Sequence, residues 1–212
     1  MITDGFFNPV SMQIDEQKLK GRHVRLSLLK PDDRELIRSL TRNPQIWEFN
    51  KMLPNDESFD DRFDAYFKRA LDPTAMNGQF SFVIRRTTDD SIIGMTRVYE
   101  VSSQDHSATI GYTWYIPPVW GKVHNKECKL LLLQYIFEEW HFMRVELRVA
   151  HENIRSQKAV EKIGGVKEGV LRKHGFRPDG SIKDTVIYSI IDEEWPAKKE
   201  KLEQLIANSE FD

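Results

Sequence analysis

Apolar residues recur along this chain with two different periods, and each change of period marks a change of element. Residues 23–29 alternate apolar and polar, a strand pattern, and Pro31, Asp32 and Asp33 then open a helix that carries to about Thr41. A polar loop around Pro54, Asn55 and Asp56 leads into a second helix over 59–71. Three strand-like runs follow at 80–86, 92–101 and 108–116, divided by Thr88, Asp89 and Asp90 and by the polar stretch 102–105. Such spacing predicts an antiparallel meander.

Beyond Pro117 and Pro118 the period lengthens. Residues 125–140 hold Cys128, Leu131, Leu132, Tyr135, Ile136 and Trp140 at inward positions, the pattern of a buried helix. Residues 143–149 alternate strictly, with Met143, Val145, Leu147 and Val149 on one face and Arg144, Glu146 and Arg148 on the other, which predicts a strand. Asn153 suits a helix cap, Ala159, Val160 and Ile163 form the inward face of a short helix, and Gly164-Gly165 stops it. Strands at 166–173 and 184–191 flank a Pro178-Asp179-Gly180 turn, and 195–206 is a terminal amphipathic helix. The order β-α-α-β-β-β-α-β-α-β-β-α predicts an α/β (α+β) fold, a mixed, mostly antiparallel central sheet of about seven strands with helices on both faces. The expected organisation is an N-terminal arm over 1–20, one domain over 21–192 and a C-terminal helix over 193–212 packed on or extending it.

Composition narrows the function. With 212 residues, 40% hydrophobic content and five tryptophans, one packed domain is expected rather than a disordered chain. No uninterrupted apolar run is long enough to span a membrane, and residues 1–17 lack the basic and apolar regions of a signal peptide, so a cytoplasmic location is expected. A single cysteine, Cys128, allows neither an intramolecular disulfide nor a CxxC metal site and reads as a small buried residue. The formal charge of −2 gives no basic field for nucleic acid. GxxxxGK[ST], GxGxxG, HExxH and GxSxG patterns are missing, so P-loop, dinucleotide, zinc-protease and nucleophile-elbow chemistries have no support, and no metal is expected.

The stretch from Trp114 to Glu127 delivers a strand through a short loop into a helix N-terminus, whose outward N–H groups and partial positive charge suit a pyrophosphate. Lys122, His124, Lys126 and Lys129, set against Glu127, read as added positive charge. By itself this pattern fits an ordinary α/β connection equally well. The run Trp120-Gly121-Lys122-Val123-His124-Asn125, however, resembles the glycine-spaced pyrophosphate loop of Gcn5-related N-acetyltransferases (GNAT), in the tryptophan-led form of the RimJ/RimL type. Downstream, Arg144 to Val149, then Asn153-Ile154-Arg155-Ser156, then Lys162-Ile163-Gly164-Gly165 resemble that type's strand, Asn-x-x-Ser helix and glycine-ended turn. The likeness runs over about 21–191. One position departs from it: Val123 stands where the family usually has glycine, and a β-branched residue disfavours positive φ, so the loop must take a Val-compatible conformation or bind less tightly.

The resemblance implies an N-acetyltransferase that moves acetyl from acetyl-CoA to a primary amine, a peptide or protein N-terminus or a small cationic amine, by direct attack in a ternary complex without metal. It implies a β-bulge and splayed strands, with Tyr115 and Ile116 pairing to the pantetheine arm and a backbone N–H there polarising the thioester carbonyl. The pyrophosphate would lie on backbone N–H groups of Trp120, Gly121, Lys122, Val123, His124, Asn125 and Lys126. Asn153 would bond the pantetheine arm as well as cap its helix, Ser156 would protonate the departing thiolate, and Arg155 and Lys158 are candidates for the 3′-phosphate. Glu100, His106 and Glu48 are candidate bases, none singled out by sequence. Six acids against two bases over 43–64 form an acidic rim that would favour a cationic acceptor. A non-catalytic acyl-CoA-binding or protein-interaction module of the same fold is the alternative, and a homodimer is left open.

Overall fold

The computed structural model describes residues 12–209, so the first eleven residues of the expected arm and the last three of the chain lie outside the described residues. Seven strands, β1 (Val24–Leu28), β2 (Gln79–Arg86), β3 (Ile92–Ser102), β4 (Ser107–Tyr115), β5 (Arg144–Ala150), β6 (Val166–Phe176) and β7 (Ile182–Ile191), form one sheet. Its order is β1-β2-β3-β4-β5-β7-β6, antiparallel throughout except between β4 and β5. The helices are α1 (Arg34–Thr41), α2 (Phe59–Leu71), α3 (His124–Gln134), α4 (Ile154–Lys162) and α5 (Trp195–Asn208).

Strand alternation sends side chains to two separate cores. Val83, Met95 and Trp114 meet Ile37 of α1 and Phe63 of α2 on one face. Ile84, Ile110 and Leu147 meet Cys128 and Leu132 of α3, Val160 of α4 and Leu202 of α5 on the other. Cys128 is fully buried, as its position in the helix pattern requires. Trp195, Leu202 and Ile206 bury α5 on that second face, and the Trp195 indole donates to Glu138 Oε1 at 2.9 Å. Among the described residues no helix is long and apolar enough to cross a membrane.

Three local readings change. The helix expected over 125–140 becomes α3 followed by a π-helical turn, Tyr135–Glu139. Met143 is 52% exposed rather than inward, because β5 begins at Arg144 and its buried series starts with Val145, opposite Ala108. Residues 16–19 form a 3-10 turn that belongs to the packed structure: Leu19 is fully buried, and the Asp15 N–H donates to the Tyr135 hydroxyl at 2.8 Å.

The feature that positions a site is where β4 and β5 stop pairing. They are in register only over Ser107–Ile110 and Arg144–Leu147, yet β4 continues to Tyr115 and β5 to Ala150. The parting coincides with a bulge in β4: Trp114 lies opposite Met95 and Gly111 opposite Arg97, so Tyr112 and Thr113 share the single partner Thr96, and Tyr112 takes φ +51°. A bulge bends its strand and interrupts the ladder. The result is a V between two parallel strands, with α3 starting beyond the end of β4 and α4 beyond the end of β5.

Candidate active site

Backbone alternation decides which groups face the V. The Ile116 N–H donates to Ile93 O at 2.9 Å, toward β3. Successive residues of a strand direct their backbone groups to opposite edges, so the N–H and C=O of Tyr115 face the opening. Of the two expected pantetheine partners, Tyr115 is therefore disposed toward the V, whereas the Ile116 N–H is spent on the sheet. The Tyr115 carbonyl accepts the Trp120 indole N–H at 2.8 Å, which folds the loop back over the strand end.

The loop itself runs through a short turn, Pro117–Val119, to Gly121 at φ +76°, and open space surrounds that glycine. Positive φ is what glycine adopts without steric cost. Val123 needs no such freedom: at φ −62°, ψ −28° it is the cap residue of α3, and its side chain is buried in the core. The Val-compatible conformation is thus the one adopted, and the departure from the family pattern leaves the helix start intact. The first intrahelical donor is Glu127 N, bonded to Val123 O at 3.1 Å, and the turn ahead of it directs its N–H groups out of the helix end.

The cationic character assigned to this loop is redistributed. Lys122 is exposed at the loop, but Lys126 donates to Ser209 Oγ of the α5 end at 2.6 Å, and Lys129 is buried against the sheet. Burial, with the neighbouring His23, Arg86 and Lys122, lowers the His124 pKa from its ordinary value near 6.5, so the site disfavours a positive charge on this ring. Glu127 does not face the loop either: its buried carboxylate accepts the N–H groups of Arg22, His23 and Val24 at 2.9, 2.7 and 2.7 Å. Arg155 adds a cation beside the loop. From the first turn of α4 its guanidinium lies 4.2 Å over the Trp120 ring and 6.0 Å from that of Phe49.

On α4, Asn153 caps the helix by accepting the Ser156 N–H at 3.0 Å, which places Ser156 half-buried in the first turn, while Arg155 and Lys158 are exposed. The starts of α3 and α4 thus flank one opening, and the Arg155 stack on Trp120 joins them.

On the opposite face of the sheet the structure assembles residues that no sequence motif marked. Glu100 sits in a β3 irregularity at φ +48° and accepts from both terminal guanidinium nitrogens of Arg148 at 2.8 and 2.6 Å. Arg148 also bonds Glu146 at 2.5 Å. Arg148 is the first β5 residue past the last pair with β4, so this ion pair stands at the apex of the V. Beside it, Tyr112 packs edge-on to Tyr99 at 5.3 Å and over the fully buried guanidinium of Arg97 at 4.8 Å, with Tyr66 on the other side at 5.0 Å. Alternation had shown that Arg148 and Glu146 share a face; only the tertiary pairing shows that Glu100 meets them.

The candidate bases separate by position. Glu100 is at the V but both its oxygens are held by Arg148. His106 lies just before β4, at the end of that strand away from Tyr115, and is not brought to the loop. Glu48 is exposed beside Phe49, whose carbonyl accepts Arg177 Nε at 3.2 Å from the β6–β7 hairpin. The acidic rim is partly neutralised, because α1 lies against it: Arg38 and Arg42 pair with Asp60 at 2.6 and 2.8 Å, and Arg34 pairs with Asp64. Among the described residues no group of three His, Cys, Asp or Glu side chains converges to hold a metal ion.

Comparison with known proteins agrees with this geometry. The family model described as "Acetyltransferase (GNAT) domain" matches residues 23–166. The chain is 28% identical over 185 residues to the putative ribosomal N-acetyltransferase YdaF of Bacillus subtilis (strain 168), a match covering 84% of this chain and 97% of YdaF. A crystal structure of a putative acetyltransferase from T. thermophilus superposes with a TM-score of 0.76 at 32% identity, covering 88% of this chain and 95% of that one. Spermidine N-acetyltransferase from Vibrio cholerae, in complex with CoA and spermine, shares the fold at a TM-score of 0.65 and 24% identity, over 82% and 98% of the two chains. A mixed seven-stranded sheet, a V opened by a β4 bulge, two helix starts flanking it and a family match over most of the chain lead to one conclusion: the protein belongs to the Gcn5-related N-acetyltransferase (GNAT) family of acyltransferases.

Proposed function

We propose that the chain transfers acetyl from acetyl-CoA to the primary amine of a peptide or protein N-terminus, or of a small cationic amine, by direct attack in a ternary complex. The observation that carries this is the V itself, with the Tyr115 backbone facing an opening flanked by the starts of α3 and α4. The anionic part of acetyl-CoA would be held by N–H groups at the start of α3 and by Arg155, with Asn153 and Lys158 alongside; the Trp120 and Lys122 N–H groups, expected to share that role, are instead spent within the loop on Pro117 O and Val119 O at 3.0 and 3.4 Å. The amine nitrogen attacks the thioester carbon, an N–C bond forms and the C–S bond breaks. The Ser156 hydroxyl gives its proton to the departing sulfur and regains one from solvent, and the proton shed by the amine passes through water to a carboxylate. Glu48 is the candidate we favour for that proton, because it is exposed and forms no ion pair among the described residues, whereas Glu100 is committed to Arg148.

An α-amino group, with a pKa near ~8, is deprotonated at neutral pH far more readily than a lysine near ~10.4. Together with the 28% likeness to YdaF, named as a putative ribosomal N-acetyltransferase, this favours a protein N-terminus over a lysine side chain. The alternative of a binding-only module draws on Val123 and on the absence of an obvious base; the helical geometry of Val123 answers the first motive, and turnover of the thioester answers the second. Thiol release from acetyl-CoA, measured against N-terminal peptides, spermidine, amino acids and aminoglycosides, tests the proposal. Release with a peptide or spermidine is expected; acetyl-CoA binding without release for any amine overturns it.

A further inference from the structure

Lys129 is the residue whose surroundings the proposed chemistry does not yet use. It lies on α3 facing the sheet, 5% exposed, and among the described residues no carboxylate forms an ion pair with it. Its ammonium donates to Thr113 Oγ1 at 2.8 Å and to Thr96 Oγ1 at 3.4 Å, and those two hydroxyls are 2.8 Å apart. Both hydroxyls in turn lie 3.5 Å from the Gly111 carbonyl. These partners are the bulge: Thr96 is the β3 residue opposite the doubled pair, Thr113 is one of that pair, and Gly111 is where the ladder resumes. A buried ammonium is costly unless hydrogen bonds satisfy it, and burial lowers the Lys129 pKa. An ammonium has three donors and no acceptor, so it fixes the hydroxyls as acceptors and turns their own protons toward each other or toward Gly111 O.

Thr113 is two residues before Tyr115 and therefore directs its backbone groups to the same edge, into the V. Its side chain is held by Lys129 on the α3 face while its backbone faces the opening. We infer that Lys129 is a positioning residue that locks the β4 bulge through Thr113, and so fixes the backbone N–H groups of the V that polarise the thioester carbonyl. Donors of this kind act through preorganisation, and freedom at the bulge weakens them even where binding persists. The inference rests on the V being the thioester site.

The test reads carbonyl polarisation without needing the acceptor. Acetyl-CoA carrying a 13C-labelled carbonyl is bound to the full chain, its affinity is measured by calorimetry, and the bound carbonyl stretch is measured by difference infrared spectroscopy. In the parent the stretch is expected to fall below its value in free acetyl-CoA. In Lys129→Met the affinity is expected to stay within about twofold while at least half of the infrared shift is lost, the signature of an interaction that orients rather than binds. Thr113→Val should lose the shift likewise, and Thr113→Ser, which keeps the hydroxyl, should retain it. A parental shift in folded Lys129→Met overturns the inference. Should Lys129→Met fail to fold, equal shifts in Thr113→Val and Thr113→Ser overturn it instead. If the parent binds no acetyl-CoA, or binds it with the carbonyl band unmoved, the reading of the V as the thioester site falls and this inference with it.

Discussion

At the scale of single residues, charge proved a poor guide to direction. In the sequence Lys129 reads as added positive charge at the helix start with Glu127 set against it, yet both are buried and each serves a separate structural purpose. Glu127 terminates three N–H groups where the chain enters β1, at Arg22, His23 and Val24. A Cβ at Gly21 would lie 2.5 Å from the carboxyl carbon, so any larger residue there would have to displace the carboxylate from these donors. Truncation would leave three donors unmet, one of them buried, and hydrogen bonds to a charged acceptor are the more valuable kind. Glu127→Ala is therefore expected to lower unfolding stability by about 3 kcal/mol, read as a lower urea midpoint. A midpoint unchanged within error would mean that solvent replaces the carboxylate. Residues whose role is local were legible: Asn153 was read as a cap because Asn favours that position, and it caps.

Elements were legible wherever the period was long and unbroken. The boundaries of α2 were read without error, and each strand of the meander shifted by one residue or so at an end. What the period could not show was the bulge, because one extra residue in β4 disturbs alternation no more than a chance polar substitution does. The α3 start illustrates the same point from the other side. Position 123 looked as if it needed glycine, but in the fold it is helical and buried, and the positive φ falls at Gly121 instead. Val123→Gly is accordingly expected to destabilise the protein by about 2–3 kcal/mol, from lost apolar burial and a freer unfolded backbone, without tightening acetyl-CoA binding. Thermal unfolding and calorimetry with acetyl-CoA would check the two halves separately.

Cross-strand pairing yields a pH prediction at the same scale. The Glu168 carboxyl of β6 accepts two hydrogen bonds from Arg144 of β5 at 2.6 Å and one from Ser189 of β7 at 2.6 Å, which hold its pKa down to about 2. A carboxyl depressed in the folded state contributes stability that is fully present above its unfolded pKa of ~4.3 and lost as pH falls from there toward the folded value. With its side chain 41% exposed, solvent screening keeps the contribution below about 1 kcal/mol. Glu168→Gln should therefore be slightly less stable than the parent above pH 5, and the two should converge as pH approaches 2. Urea midpoints across that window measure it; a constant difference down to pH 2 would place the effect elsewhere.

At the scale of the molecule, sheet, helices and the loop after β4 were all foreseeable from the ordered pattern, whereas the electrostatics of the acceptor side were not. Counting charges along 43–64 finds six acids and two bases, but a linear count leaves out what the fold brings alongside. Here α1 and the residue that caps its end lay Arg34, Arg38 and Arg42 against Asp60 and Asp64, and Asp56 accepts the Ser58 N–H and hydroxyl at 2.8 and 2.7 Å. The acids left to act on an approaching substrate are chiefly Glu48, Glu57 and Asp61, each exposed. Electrostatic steering depends on net potential over a region rather than on the number of like charges, and mobile ions screen it within a Debye length, about 8 Å at physiological salt. A cationic acceptor such as spermidine should then show only a shallow salt dependence, with kcat/KM falling by no more than about twofold between low and physiological ionic strength. Arg42→Gln, which frees one side of Asp60 on an exposed surface, should steepen it. Steady-state kinetics over a salt series on parent and variant decide the matter. A tenfold or greater fall in the parent would mean that the arginines of α1 do not neutralise the rim, and an identical slope in Arg42→Gln would mean that Asp60 does not contribute to the encounter.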